Sequence, residues 1–257
     1  MEHAVSTTAA TLDADTRWLI NPRWESDPDI AHGITTRKFG AKEAGNTSRL
    51  VTIRRDLEMP DAVSATMEQV HGDTVAWIGA EDLDRAEEQR LRVPATDAMV
   101  TDQRGVLLHL RVADCVPILA LDRRNGLAGV AHAGWRGTVK RIAEAFVRTM
   151  AEHGADLDHL EVWLGPSICA RCFEVGPDVL AQFTAVNRWW PAIDLRLRRV
   201  DLALINRMQM ARAGVPPDHV VTSPLCTRCR VDMLHSHRAE PTNEGRLVGS
   251  IGMRTAP

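Results

Sequence analysis

The chain of 257 residues contains no tyrosine, so no phenolic hydroxyl is available to any site, and aromatic residues make up only 4% of it. No run comes near the roughly 18 apolar residues that a membrane-spanning helix needs. The opening MEHAVSTTAATLDADTRW lacks a basic stretch followed by an apolar one, which argues against a secretory signal. Excess charge is also missing. Lys and Arg number 31 against 34 Asp and Glu, a net charge of −3, so there is no electrostatic footprint for nucleic acid or for an anionic membrane surface. Small neutral or anionic substrates fit better. Five cysteines, an odd number, do not make a disulfide framework, and a reducing cytoplasm is the expected compartment.

What is present is ordinary globular composition, 44% hydrophobic and 25% charged, in a chain long enough to bury a sizeable core. No internal repeat or interdomain linker stands out. Residues 1–15 carry no hydrophobic period and read as a disordered tail, leaving 16–257 as one α/β domain. Ala31–Phe39 reads as a strand and Asp61–Met67 as a helix. Glu68–Ile78 turns at Gly72-Asp73, and Ala80–Arg92 is a charged helix or loop. Strands follow at Thr96–Val100, Gly105–Val112 and Leu160–Leu164, then helices from Pro177 and from Leu202, and a short strand at Val220–Ser223.

The centre of the chain is Arg111–Thr138. Two apolar runs, VPILAL from Val116 and LAGVA from Leu127, flank an Asn125-Gly126 turn signal and predict a hairpin. Pairing Leu121 with Leu127 sets Val116 opposite His132 and Cys115 opposite Ala133. Cys115 and His132 are then diagonal neighbours, roughly 5 to 8 Å apart. Gly134-Trp135-Arg136-Gly137 leads into a helix predicted over Thr138–His153, with Val139, Ile142, Phe146 and Met150 on one face and Gly154 at its cap. That helix start, with Arg136 beside it, is either an anion site or a tight turn that two glycines permit.

Several other patterns point to metal chemistry. Cys169-x-x-Cys172 and Cys226-x-x-Cys229 resemble a zinc ribbon, but 53 residues separate the pairs, beyond the usual interval of about 15 to 20, although such a site can still form in space. His159-Leu-Glu161 with Cys169-x-x-Cys172 lacks the proline directly before the first cysteine that a zinc deaminase has, and the connection is too short for a crossover. His235-Ser-His237 is a single H-x-H pair, too few for a multicopper centre. His71, Cys115 and His132 remain. Together they suit zinc with an open fourth position, while Cys115 with His132 as its base suits a thiolate nucleophile. Spacing alone does not choose between these, and His71 by itself reads as a solvated turn residue.

At these residues the sequence closely resembles the family variously called laccase-domain or multicopper polyphenol oxidases, peptidoglycan editing factors and purine nucleoside phosphorylases. The matching pieces are QVHGDTV at 69–75, TDAMVTD at 96–102, VADCVPILALD at 112–122, AHAGWRGT at 131–138, GPSI at 165–168, EVG at 174–176, SHR at 236–238 and GR at 245–246. They span most of the chain. The resemblance implies a single-domain α/β fold of layered mixed β-sheets flanked by helices, and a catalytic zinc site at His71, Cys115 and His132. It implies phosphorolysis of adenosine, inosine and 5'-methylthioadenosine, with deamination of adenosine. Nucleoside and phosphate would then be the small-molecule partners, with nucleic acid and membrane excluded and either a monomer or a homodimer expected.

On that reading Arg136 and Arg246 hold phosphate or ribose, with Gln69, Asp97 and Asp114 as further candidates for the substrate site. Asp97 and Asp114 either orient histidines or shuttle protons, or else simply cap strand ends and form turns. The resemblance weakens after Arg37, where KFGAKEAGNTSRLVTI replaces the family's pieces, so Arg37 and Arg54 carry over only weakly; Phe173 stands where tyrosine is common. Three rival readings stay open: an amide hydrolase of cell-wall precursors using Cys115, a non-catalytic partner protein that keeps zinc for structure, and, last by ligand count, a copper-dependent phenol oxidase.

Overall fold

A computed structural model describes residues 16–40, 47–185, 187–242 and 245–255. The tail read as disordered, 1–15, and part of the divergent stretch, 41–46, lie outside the described residues. In chain order the strands are β1 (Trp18–Leu19), β2 (Ile30–Thr35), β3 (Val63–Met67), β4 (Val75–Ile78), β5 (Arg90–Val93), β6 (Ala98–Thr101) and β7 (Val106–Val112). They continue as β8 (Val116–Asp122), β9 (Leu127–Ala133), β10 (Glu161–Leu164), β11 (Ile193–Asp194), β12 (Arg199–Val200), β13 (Val220–Thr222) and β14 (Leu247–Met253). The α-helices are α1 (Thr47–Asp56), α2 (Ala80–Leu83), α3 (Trp135–Val139), α4 (Ile142–Glu152), α5 (Pro177–Thr184) and α6 (Leu202–Arg212).

The strands form two six-stranded mixed sheets, ordered β1-β2-β14-β7-β3-β5 and β13-β10-β8-β9-β6-β4. The side-chain period of two explains their stacking. Leu119 and Leu121 of β8 meet Leu108 and Leu110 of β7 between the sheets, with Ile34, Met99, Val130 and Ile251. The alternate residues Val116, Ile118 and Ala120 face outward onto Ile142, Phe146 and Met150 of α4. On the other outer face Leu107 and Val248 pack against Ile53. The order of layers is therefore helix, sheet, sheet, helix, the layered α/β architecture that the resemblance implies.

One topological feature positions the site. Strands β3, β5 and β7 run parallel in the first sheet, and each is followed by a strand of the second, β4, β6 and β8. Those three are mutually parallel as well, because β4 pairs parallel with β6 while β6 and β8 both pair antiparallel with β9. All three crossovers must therefore lie at the same end of the sandwich, where β9 also finishes.

Four expectations need correction. Asp61–Met67 is not helical: Val63–Met67 is strand β3, pinned on both sides by parallel pairing to β5 and β7, which overrides the helical tendency of its Ala and Met. The charged stretch 80–92 holds only the four-residue α2 before β5 begins. The hairpin pairs Asp122 with Leu127, so Pro117 lies opposite His132 and Val116 opposite Ala133, one residue from the expected register. Asp122 is the reason. It is fully buried, and its carboxylate accepts the amides of Arg124 (3.0 Å), Asn125 (3.2 Å) and Asp156 (2.7 Å), holding it in the strand and leaving a four-residue loop closed by Gly126 at φ +67°. Finally, the expected helix over 138–153 is two helices, because Gln209 of α6 donates to the Thr138 carbonyl at 2.7 Å and Arg141 adopts φ 69°. The apolar face survives the break, with Ile142, Phe146 and Met150 all buried and Gly154 at φ +96° just past the end of α4.

His32 lies buried between β1 and β14, and its Nε2 accepts the Asn21 amide at 3.0 Å. Burial, aided by Arg254 and Arg123, lowers it from the ordinary 6.5 to about 4. Its folded value is below its unfolded value, so its neutral form costs nothing above pH 6.5 and stability is lost as pH falls from 6.5 towards 4. The loss from this group is about 3 kcal/mol at completion. His32→Gln, which keeps an acceptor for Asn21, is expected to flatten the fall in urea midpoint between pH 7 and pH 4 relative to the unaltered protein; an unchanged slope would refute the assignment.

Candidate metal centre

The shared end of the sandwich collects the residues singled out by sequence. His71 lies in the crossover from β3 to β4, Asp97 in that from β5 to β6, and Cys115 in that from β7 to β8, while His132 is the next-to-last residue of β9. One ligand atom from each of His71, Cys115 and His132 lies within 4.8 Å of the others. The two imidazoles meet edge to face with centroids 4.8 Å apart. His132 is buried, Cys115 half-buried and His71 exposed, so the trio is walled on one side and open to solvent on the other.

Asp97 is fully buried and organises this geometry. Its carboxylate accepts the Nδ1–H of His132 at 2.8 Å and the amides of Val70, His71 and Gly72 at 3.1, 3.0 and 2.7 Å. With Nδ1 so engaged, the Nε2 lone pair of His132 is the atom left for the site. The three amides hold the 70–72 turn with His71 at φ 59°. Both expectations for Asp97 are therefore met by one carboxylate, which caps a turn and orients a histidine. Burial opposes its charge, but His132 and the amides of Gly72 and Val70 outweigh burial and hold the carboxyl below its ordinary range.

The trio's own electrostatics follow. Burial opposes ionisation of Cys115, yet His132 and His71 bring its thiol down to about 6. Burial likewise opposes the charge on His132, while Asp97 and Cys115 raise it to about 9. The cluster thus favours a thiolate, the form in which cysteine ligates metal or attacks an electrophile. Gly134 completes the cradle. A Cβ there would stand 2.9 Å from His71 Cδ2 and 3.0 Å from Cys115 Sγ, so any side chain would intrude on the ligands. A soft sulfur, two imidazoles and an orienting carboxylate form a donor set suited to zinc with an open position.

The other candidates are placed as follows. Arg136 is exposed on α3 with its guanidinium 4.4 Å from the Trp135 ring. Because α3 starts at Trp135 and not at Thr138, and is only five residues long, no extended helix N-terminus supports it. Arg246 precedes Leu247, which pairs with Val112, so it lies beside the turn leading into Cys115. Gln69 exchanges two hydrogen bonds with the backbone of Arg111, at 2.8 and 2.9 Å, and its amide is committed to holding the β3 crossover against β7.

Asp114 orients no histidine. At φ 85° it accepts the hydroxyls of Thr227 (2.6 Å) and Ser236 (2.7 Å) and the Arg238 amide (2.6 Å), and so fastens the C-terminal segment beneath Cys115. His235 is buried and His237 exposed, so the H-x-H pair forms no joint site. Glu161 is spent on Trp24 and Arg123, and exposed His159 stands near Asp156, which removes the deaminase-like spacing.

The two C-x-x-C pairs form a second group, a possibility that the sequence leaves open despite their separation. Cys169, Cys172, Cys226 and Cys229 bring their sulfurs within 4.8 Å of one another. The repeated C-x-x-C was its only sequence signal. Between them the two groups contain two histidines, and among the described residues no other cluster of three or more ligands forms, so the histidine-rich array of a multicopper centre is not assembled there. No helix among the described residues is long and apolar enough to cross a membrane.

The chain belongs to the family described as multi-copper polyphenol oxidoreductase laccase, whose model matches residues 36–254. It is 38% identical over 207 residues to adenosine deaminase RL5 from an unknown prokaryotic organism, covering 76% of this chain and 74% of that one. It is 36% identical over 195 residues to the purine nucleoside phosphorylase YlmD of Geobacillus stearothermophilus, covering 73% and 71%. The crystal structure of YlmD from that organism superposes with a TM-score of 0.76 at 30% identity, over 93% of this chain and 97% of the other. Both of these relatives bear the names of nucleoside enzymes.

Asp97→Ala would leave the 70–72 amides and the His132 N–H without their acceptor. A loss of about 3 kcal/mol or more is expected in urea unfolding of metal-free protein. A loss under about 1 kcal/mol would show that Asp97 does not carry the turn.

Proposed function

We propose that the protein is a zinc-dependent purine nucleoside phosphorylase acting on adenosine, inosine and 5'-methylthioadenosine, with adenosine deaminase activity, and that it works in the cytoplasm. The observation that carries this reading is the His71–Cys115–His132 cluster, open on one side and braced by buried Asp97 on the other. The names of its relatives supply the substrate class. Zinc suits the donor set better than copper, which in a phenol oxidase would call for more histidines than the cluster has. Zinc held by the three residues would act as a Lewis acid with one position open to water or substrate.

The chain's residues then divide the work. Asp97 keeps the His132 Nε2 lone pair directed at the site and, with four donors on its carboxylate, stays ionised rather than moving protons. Cys115 supplies negative charge that the neighbouring imidazoles offset. Gly134 keeps the space over the three ligand atoms clear, so a substrate approaches without meeting a side chain from that residue. Arg136 and Arg246 are assigned to inorganic phosphate and the ribose end of the nucleoside. Arg136 follows the cradle by two residues and presents its guanidinium to solvent, and Arg246 flanks the turn into Cys115.

The thiolate character of Cys115 beside a proton-bearing His132 supports one alternative, a cysteine amide hydrolase. Metal analysis joined to product detection with adenosine and phosphate separates the two. The expected result is zinc in the purified protein, phosphate-dependent release of adenine with ribose 1-phosphate, and deamination of adenosine to inosine, both reactions being lost in Cys115→Ala. Asp97→Asn is expected to weaken zinc binding about 10- to 100-fold in a chelator competition. Adenosine left intact by zinc-loaded protein, together with alkylation-sensitive amide hydrolysis by metal-free protein, would instead establish the cysteine hydrolase.

A further inference from the structure

Between Thr222, the end of β13, and Leu247, the start of β14, the described residues form neither helix nor strand. Irregular connections longer than about 12 to 15 residues are uncommon inside a compact domain and need something to hold them. Met233 and Leu234 anchor it in the core between the sheets, but Arg228, Cys229, Val231 and 237–239 are exposed, so burial holds only part of it. Its first turn carries Cys226 and Cys229, and it lies against the loop after β10 that carries Cys169 and Cys172.

The two halves are built alike. In each, the amide four residues after the first cysteine donates to that cysteine's carbonyl, Phe173 to Cys169 at 3.0 Å and Arg230 to Cys226 at 3.0 Å. The halves are also joined directly. Ser167 and Cys226 form a parallel bridge, the Thr227 amide donates to the Ser167 carbonyl at 3.1 Å, and the Cys169 amide donates to Cys226 Sγ at 3.2 Å. The 53 intervening residues that weigh against a zinc ribbon in the sequence therefore do not separate the pairs in space. A tetrahedral zinc–thiolate centre with bonds of about 2.3 Å sets its sulfurs about 3.8 Å apart, which fits a group contained within 4.8 Å.

Charge fits as well. Four thiolates around a divalent cation carry a net charge of −2, and the intervening residues include Arg171 and Arg228. Both line a cavity of about 440 Å³ beside Cys172, together with Arg198, Arg199 and Arg238 and a single carboxylate, Glu174. Five guanidiniums facing one carboxylate make sense next to an anionic centre and are hard to reconcile with four neutral thiols.

We propose that Cys169, Cys172, Cys226 and Cys229 bind a structural zinc ion, separate from the His71–Cys115–His132 cluster, that fastens the 223–246 segment to the loop after β10. Its mechanical effect reaches the other cluster through Asp114. Thr227, next to ligand Cys226, donates its hydroxyl to Asp114, and Ile168, next to ligand Cys169, donates its amide to the Asp114 carbonyl at 2.9 Å. Both halves of the centre thus grip the left-handed residue that precedes Cys115. The proposal holds whichever reaction the other cluster performs.

The test uses full-length Cys115→Ser protein, which keeps all four cysteines of the centre. It is expected to retain one tightly bound zinc per chain, and its cobalt-substituted form should show the intense visible absorption of tetrahedral cobalt–thiolate coordination. In the same background, Cys172→Ser with Cys229→Ser should lose both the zinc and the cobalt band. Should that variant not fold, thiol labelling of the Cys115→Ser protein decides, with the four cysteines expected to resist maleimide until a chelator is added. Absence of zinc from the Cys115→Ser protein, iron in its place, disulfides among the four cysteines, or labelling indifferent to chelator would each overturn the proposal.

Discussion

The carboxylate of Asp97 accepts four hydrogen bonds from two other pieces of chain, three from the 70–72 turn and one from the His132 ring, while itself lying in a third. A buried carboxylate is tolerable only when its lone pairs are so occupied. The converse holds with equal force. The turn places His71 at a left-handed φ that a non-glycine residue adopts at a cost, and the Asp97 bonds supply the compensation. Remove this one acceptor and the turn, the histidine tautomer and the approach of His71 to Cys115 all lose their reason.

Asp114 is its counterpart on the other side of Cys115. There too a carboxylate gathers two hydroxyls and an amide from distant chain, and there too the backbone is left-handed. The two aspartates differ in what they hold. Asp97 gathers elements of the sheet crossovers, which the core already orders, whereas Asp114 gathers a C-terminal segment without helix or strand, which enters the core at Met233 and Leu234. Cys226 and Cys229 belong to that segment and Cys169 and Cys172 lie against it, so a cross-link among them would tie it down.

A sandwich whose first-sheet strands β3, β5 and β7 each cross to the second sheet at one end delivers three loop residues to one place without any of them being near in sequence. Strand ends are rigid where they leave the sheet, so side chains just beyond them are precisely held yet reach solvent. This accounts for a cluster with one exposed, one half-buried and one buried member. It also accounts for the glycine at 134, since a side chain at the end of β9 would fill the space that the convergence creates.

Much of the architecture was legible from spacing. The apolar runs VPILAL and LAGVA identified β8 and β9, Asn125-Gly126 marked their turn, and the apolar period through Ile142, Phe146 and Met150 identified the face of α4. These are signals within a few residues of one another, and local chain geometry is enough to decode them. The closeness of Cys115 and His132 followed from the same hairpin, even with the register one residue off, because Asp122 binds its own loop amides in a way that strand patterns do not reveal. His71 entered the site only through resemblance to a family, and nothing local distinguished Asp97 as the acceptor for the turn around it. Cys169 and Cys172 meet Cys226 and Cys229 only because β10 and β13 are neighbours in the second sheet. Residue types and local periods were written in the chain; which distant ones share a site depended on where the sheets are crossed, and pairing across tens of residues is set by packing of the whole core.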